Sequence, residues 1–80
     1  MQAVEVKNII ETQISEATVI TAGEGCNFEV TVVSEKFEGL LPVKRQQLVY
    51  KCVEDQIADG SIHALTIKAY TPAQWQKIQN

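Results

Sequence analysis

Residues 18–34 read TVITAGEGCNFEVTVVS, and the pattern of these residues is the strongest indication of the fold. The part from Thr18 to Ala22 is rich in β-branched residues, which are typical of a short strand. From Phe28 to Ser34 the residues alternate between an apolar face and a second face, which predicts another strand. The GEGCN segment between them contains two glycines, as tight turns do. The stretch therefore predicts a β-hairpin with its turn at residues 23–27.

Helices and one further strand are predicted on either side of this hairpin. Apolar residues at helical spacing predict a helix over Val4–Ile14. After a loop, Pro42 suits the first turn of a second helix that continues to a glycine cap at Gly60. A third strand is predicted at about Ile62 to Ala69, and the capping box TPAQ at 71–74 begins a last helix. The predicted second helix carries its apolar face on Val49, Cys52, Val53 and Ile57.

The predicted order of elements is α-β-β-α-β-α. A strand, helix, strand passage implies a right-handed crossover and parallel pairing. The fold class is therefore α+β, with a mixed three-stranded sheet and helices packed mainly on one face. The 80 residues, 45% apolar and 21% charged, indicate one globular domain over residues 1–80. A chain of this size buries only about 60% of its unfolded surface, which leaves little room for a deep substrate pocket.

Charge and hydropathy indicate the partners and the cellular compartment that we expect for the chain. A net charge of −3 gives no general attraction to nucleic acid or anionic lipid. The N-terminal MQAVEVK has neither the basic start nor the apolar run of a signal peptide. No window approaches the roughly 18 apolar residues of a membrane span. We therefore expect a cytoplasmic chain with no membrane partner, whose Cys26 and Cys52 are thiols.

The sequence contains none of the common nucleotide-binding or hydrolase motifs. Neither a phosphate-binding GxxxxGK[ST] or GxGxxG loop nor a GxSxG elbow is present. The sole histidine, His63, could pair with Cys26 as base and nucleophile, but no third orienting group stands at a recognisable spacing. We predict a binding protein and not an enzyme, with a reactive-cysteine enzyme as the weakest alternative.

Cys26 and His63 are better suited to a metal that is shared with another protein. Cys26 lies in the predicted turn and His63 opens the third strand, so both are expected near a sheet edge. Cysteine and histidine both bind zinc or iron, but closed sites need about four ligands and this pair supplies two. The alternative is structural: strand alternation would place His63 at the rim of the core, beside Leu65 and Ile67, and Cys26 would be a small turn residue.

Basic residues gather around the Phe37 loop and the second helix. They are Lys36, Lys44, Arg45 and Lys51. Such a group could contact phosphates, but a solvated helix face is the alternative, and the acidic balance of the chain favours it. Nearby, Cys52 is expected to be an inert core thiol, and Trp75 is expected to hold the last helix against the body.

Several stretches of the chain resemble the BolA family, and its IbaG-type branch in particular. They read FEG at 37–39, VKRQQLVY at 43–50, IHA at 62–64 and YTPAQW at 70–75. The resemblance runs from about Val6 to Trp75 in the same order and spacing. It implies a class II KH-like fold, which has the element order predicted above.

The resemblance also implies partners and a cofactor. Members of the family pair with monothiol glutaredoxins in iron–sulfur cluster handling and iron homeostasis. In such a heterodimer the glutaredoxin cysteine and glutathione ligate one side of a 2Fe–2S cluster. The BolA-like chain supplies the histidine that matches His63, and a second ligand from the loop where Cys26 stands. We expect no cofactor in the isolated chain, and whether it forms a homodimer stays open.

Some members of the family are DNA-binding transcriptional regulators. This chain lacks the GxxG loop with which KH domains clamp a nucleic-acid backbone. It also has Gln46 and Gln47 where many relatives carry a histidine and a further arginine. Weak DNA binding through Lys44 and Arg45 is therefore the second interpretation, after the cluster-sharing adaptor.

Overall fold

The structure, a computed structural model, describes residues 1–24 and 27–79. Its elements are α1 (Ala3–Gln13), β1 (Thr18–Glu24), β2 (Asn27–Val33), a 3-10 turn (Glu35–Phe37), α2 (Pro42–Cys52), α3 (Glu54–Ala58), β3 (Ala64–Tyr70) and α4 (Pro72–Gln79). None of these helices is long and apolar enough to cross a membrane. The α+β class is confirmed, and the predicted helices and strands are present with small shifts at their ends.

The strands form one mixed sheet in the order β1-β2-β3. β1 and β2 are antiparallel, with Val19 opposite Val32, and β2 and β3 are parallel, with Val30 opposite Ile67. Both predicted pairings are therefore confirmed. Gly23, near the end of β1, has a φ of 119°, and a Cβ there would collide with the carbonyl oxygen of Asn27. Only glycine fits this position of the hairpin.

The helices cover one face of the sheet, as predicted. Val30 and Val32 of β2 are fully buried in one apolar cluster with side chains of α1 and α2. The other face is open: Ile20 is 46% exposed, and Lys68 Nζ forms an ion pair with Glu29 Oε1 at 2.7 Å. The members of the buried cluster are Val6, Ile10, Ile14, Val19, Phe28, Val30, Val32, Phe37, Val49, Cys52, Val53, Ile62 and Ile67.

The predicted second helix is wrong in one respect, because the structure divides it into two. α2 ends at Cys52, α3 begins at Glu54, and Val53 between them has φ −119° and ψ 16°. The N–H of Val53 donates to the carbonyl of Tyr50 at 3.1 Å, which tightens the last turn of α2. Val53 is β-branched and fully buried, so its packing overrides the helical periodicity.

The capping box at the start of α4 is confirmed. The N–H of Thr71 donates to Gln74 Oε1 at 3.1 Å, and the N–H of Gln74 donates to Thr71 Oγ1 at 3.3 Å. Trp75 is half-buried, and its ring lies 5.7 Å from that of Tyr70. This aromatic contact joins α4 to the end of β3, as expected of Trp75.

Candidate functional site

His63 lies immediately before β3, and its side chain is exposed. The preceding residue, Ile62, is 1% exposed, and its N–H donates to the carbonyl of Gln56 in α3 at 3.0 Å. The following residue, Ala64, begins the strand that pairs with β2. The backbone is therefore held on both sides of an accessible imidazole.

The rim position considered for His63 is not observed. The strand alternation that would have placed His63 beside Ile67 does not reach it, because β3 begins only at Ala64. Ile62 enters the core in its place. An exposed imidazole at a strand entry is free to meet a ligand or another protein.

The turn that leads to His63 is held by its own polar groups. Asp59 Oδ1 accepts the N–H of Ser61 at 2.8 Å. Hydrogen bonding from the Ser61 side chain first, and from this backbone N–H second, lowers the pKa of the Asp59 carboxyl, because it favours the charged form. Gly60 between them has a φ of 85°, a conformation that glycine adopts readily. Short-range bonds therefore position the segment just before His63.

Cys26, the second predicted ligand, lies outside the residues that the structure describes. The residue after it, Asn27, is the register partner of Ala64, the residue after His63. Over residues 1–24 and 27–79 no group of three or more His, Cys, Asp or Glu side chains could hold a metal ion. In this part of the chain, His63 therefore offers one exposed metal ligand. A metal bound there needs further ligands from elsewhere.

Arg45 differs from the surface charge that the basic cluster predicts. It is only 9% exposed. Its Nε donates to the carbonyl of Leu40 at 3.0 Å, and its Nη1 to Gln74 Oε1 at 2.6 Å and to the carbonyl of Ala69 at 3.4 Å. Its guanidinium carbon lies 6.0 Å from the centre of the Phe37 ring. Arg45 therefore joins α2 to β3 and α4.

The other three basic residues, Lys36, Lys44 and Lys51, are exposed as predicted. The helical spacing from Arg45 to Val49 and Cys52 was the signal that Arg45 faces inward. An inward position was not expected from the sequence, because arginine usually lies at the surface.

Gln46 is a structural residue that the sequence reasoning did not identify. Its Nε2 donates to the carbonyl of Ile67 at 3.1 Å. Arg45 likewise donates to the carbonyl of Ala69. Side chains of α2 therefore form hydrogen bonds with alternate carbonyls of β3, which is an edge strand of the sheet. No local pattern indicates such a contact, since Gln46 and Ile67 are distant in the sequence.

Cys52 is buried, as the helix pattern predicts. It is 8% exposed, and its Sγ donates to the carbonyl of Leu48 at 3.3 Å. Burial raises the pKa of the Cys52 thiol, so less of the reactive thiolate is present at neutral pH. Cys52 is therefore set apart from the candidate site at His63.

Comparisons with known proteins agree over nearly the whole chain. The family model described as BolA-like protein matches residues 2–74. The acid stress protein IbaG of Escherichia coli K12 is 42% identical over 77 residues, which cover 96% of this chain and 92% of that protein. The structure of a BolA protein homologue from Coxiella burnetii has a TM-score of 0.84 at 36% identity, with 95% and 97% of the two chains covered. The BolA1 protein of Mus musculus gives 0.80 at 32% identity, with 98% of this chain and 71% of that chain covered.

Proposed function

The chain belongs to the BolA-like protein family, in its IbaG-type branch, and on that premise we propose that it is a non-enzymatic adaptor for iron–sulfur clusters. In this proposal it pairs with a monothiol glutaredoxin and shares a 2Fe–2S cluster with it, in cluster handling and iron homeostasis. The observation that carries the proposal is His63, the only histidine of the chain, which is exposed between a buried residue and a strand entry. A partner can reach this imidazole without any rearrangement of the core.

The ligands available fit a shared cluster better than a resident one. A 2Fe–2S cluster takes four protein or thiol ligands, and His63 with Cys26 would supply two of them. The glutaredoxin cysteine and glutathione would supply the others. When bound, such a cluster has a neutral imidazole in place of one thiolate, which lowers its negative charge and raises its reduction potential.

The chain's own contribution is the positioning of His63. The bond from Ile62 to Gln56 and the turn closed by Asp59 and Ser61 hold the backbone before it. The pairing of Ala64 with Asn27 holds the backbone after it. Ligands whose backbone is already ordered lose little conformational freedom on binding.

Anaerobic reconstitution tests the proposal. The chain is mixed with a monothiol glutaredoxin, iron, sulfide and glutathione, and the products are followed by gel filtration and visible circular dichroism. We expect a coloured 1:1 heterodimer with the wild-type chain. With His63→Ala we expect a heterodimer whose cluster has a changed spectrum and a shorter lifetime. Cys26→Ala tests the second ligand in the same way.

The matched control is Lys44→Ala, because Lys44 is exposed on α2, near the opposite end of β3. It should leave the cluster spectrum and lifetime at their wild-type values. A His63→Ala heterodimer with both properties unchanged would refute the ligand role of His63. No heterodimer with the wild-type chain would refute the adaptor itself.

DNA binding gains no comparable support. The interpretation as a DNA-binding protein depended on Lys44 and Arg45 together. The guanidinium of Arg45 is instead hydrogen-bonded to Leu40, Ala69 and Gln74. The exposed lysines alone form a sparse positive surface on an acidic chain. We therefore propose no second function.

A further inference from the structure

A surface groove lies between α2, the end of β3 and α4, far from His63. Its volume is 480 Å³. β3 has seven residues, so the groove lies roughly 20 Å along the strand from His63. The side chains that define it are Pro42, Arg45, Tyr70, Gln74, Lys77 and Ile78.

Arg45 reaches this groove with part of its guanidinium unused. Its Nε and Nη1 donate to Leu40, Ala69 and Gln74, whereas Nη2 makes no hydrogen bond with the described residues. No buried side-chain nitrogen or oxygen of the described residues lacks a partner, so Nη2 is not fully buried, although Arg45 as a whole is only 9% exposed. Because the rest of the side chain is held, Nη2 is a pre-ordered donor, and arginine N–H groups favour carboxylates.

The rim of the groove adds a second positive charge and apolar surface. Lys77 is exposed, and none of the described residues that line the groove has an acidic side chain. Ile78 is 56% exposed, and Pro42 is exposed across from it on α2. A ligand that matches both properties carries a carboxylate next to an apolar group.

We propose that this groove docks a short acidic and apolar segment of a partner protein. A glutamate or aspartate carboxylate would lie against Arg45 Nη2 and Lys77, and a neighbouring apolar side chain against Pro42 and Ile78. A protein segment fits better than a free small acid, because small-molecule sites bury most of their ligand and this groove has exposed walls. The proposal is independent of the cluster at His63.

A peptide titration tests the proposal on the 80-residue chain. The probe is acetyl-Leu-Glu-Leu-amide, and binding is measured from the NMR shifts of the ¹⁵N-labelled protein. We expect shifts confined to the start of α2, the end of β3, α4 and the Arg45 side chain. The uncharged acetyl-Leu-Gln-Leu-amide should bind about fivefold more weakly or worse, because charge-assisted hydrogen bonds are about twice as strong as neutral ones.

Variants of exposed residues separate the groove from general charge effects. Lys77→Gln should weaken the glutamate peptide about two- to fivefold, the range of an exposed ion pair. Lys51→Gln makes the same charge change outside the groove and should leave the affinity unchanged. Ile78→Ser should weaken both peptides. In each free variant, unchanged shifts away from the substituted helix verify that the variant folds.

Three outcomes would overturn the proposal. One is equal affinity for the glutamate and glutamine peptides. The second is an equal loss of affinity in Lys77→Gln and Lys51→Gln. The third is that sodium acetate alone, at the same concentration, reproduces the full shift pattern, because the groove would then be a site for small free anions.

Discussion

The replacement Arg45→Ala should destabilise the fold by about 2–3 kcal/mol. Arg45 makes two short hydrogen bonds, to Leu40 at 3.0 Å and to Gln74 at 2.6 Å, while its 3.4 Å contact with Ala69 is longer and weaker. A hydrogen bond from a charged donor contributes about 1.5 kcal/mol or more. Gln74 Oε1 keeps its bond from the N–H of Thr71, which limits the loss. A total of about 2–3 kcal/mol is a large part of the roughly 5–15 kcal/mol that stabilises a domain.

Urea unfolding, followed by circular dichroism, measures this effect. The control is Lys44→Ala, the adjacent exposed position, which removes the same charge and should change the free energy of unfolding by less than about 0.5 kcal/mol. Arg45→Lys should recover only part of the loss, because an ammonium lacks the planar fork that bonds Leu40 and Gln74 together. If Arg45→Ala and Lys44→Ala unfold at the same urea concentration, the structural role of Arg45 is wrong.

Other predictions follow from the hairpin, the buried thiol and the turn before His63. Gly23→Ala should lower the free energy of unfolding by more than Gly39→Ala; both have positive φ, but only at Gly23 does a Cβ collide with backbone. Comparable losses in urea unfolding would contradict the collision. In a Cys26→Ser background, Cys52 should react with iodoacetamide only after unfolding, since burial raises the pKa of its thiol; mass spectrometry that finds rapid labelling of the folded chain would disprove this. The Asp59 carboxyl should titrate by NMR below its ordinary pKa of about 3.9. Its contribution to stability is therefore present above that value and disappears as the pH falls through the lowered pKa; Ser61→Pro, which removes both the Ser61 hydroxyl and the donor N–H, should return the pKa towards 3.9.

Much of the fold could be predicted from the sequence because its signals are local. The alternation in residues 28–34 and the glycines before it indicate the hairpin, whose two strands follow one another directly in the chain. The capping box at Thr71 and Gln74 joins residues three apart. The parallel pairing of β2 and β3 follows from the length of the crossover between them. The break between α2 and α3 at Val53 was not predicted, because it depends on the packing of Val53 in the core.

The sequence was sufficient to identify His63 as the candidate site residue, but not to predict the surroundings of its side chain. The resemblance to the BolA family identified His63, and the sequence could not decide whether the imidazole is exposed or lies at the rim of the core. That choice depends on where β3 begins and on Ile62, whose N–H is bonded to Gln56 in α3.

Local sequence patterns were sufficient to predict the order of elements, the hairpin, the α4 cap and the burial of Cys52. They were sufficient because each depends on residues within a few positions of one another. The bonds from buried Arg45 and exposed Gln46 to the carbonyls of Ala69 and Ile67 became visible only in the folded chain. The physical reason is that a polar side chain is stable wherever it finds a partner, in water or in the protein. For these two side chains the partners are more than 20 residues away, and they become neighbours only when α2 packs along β3.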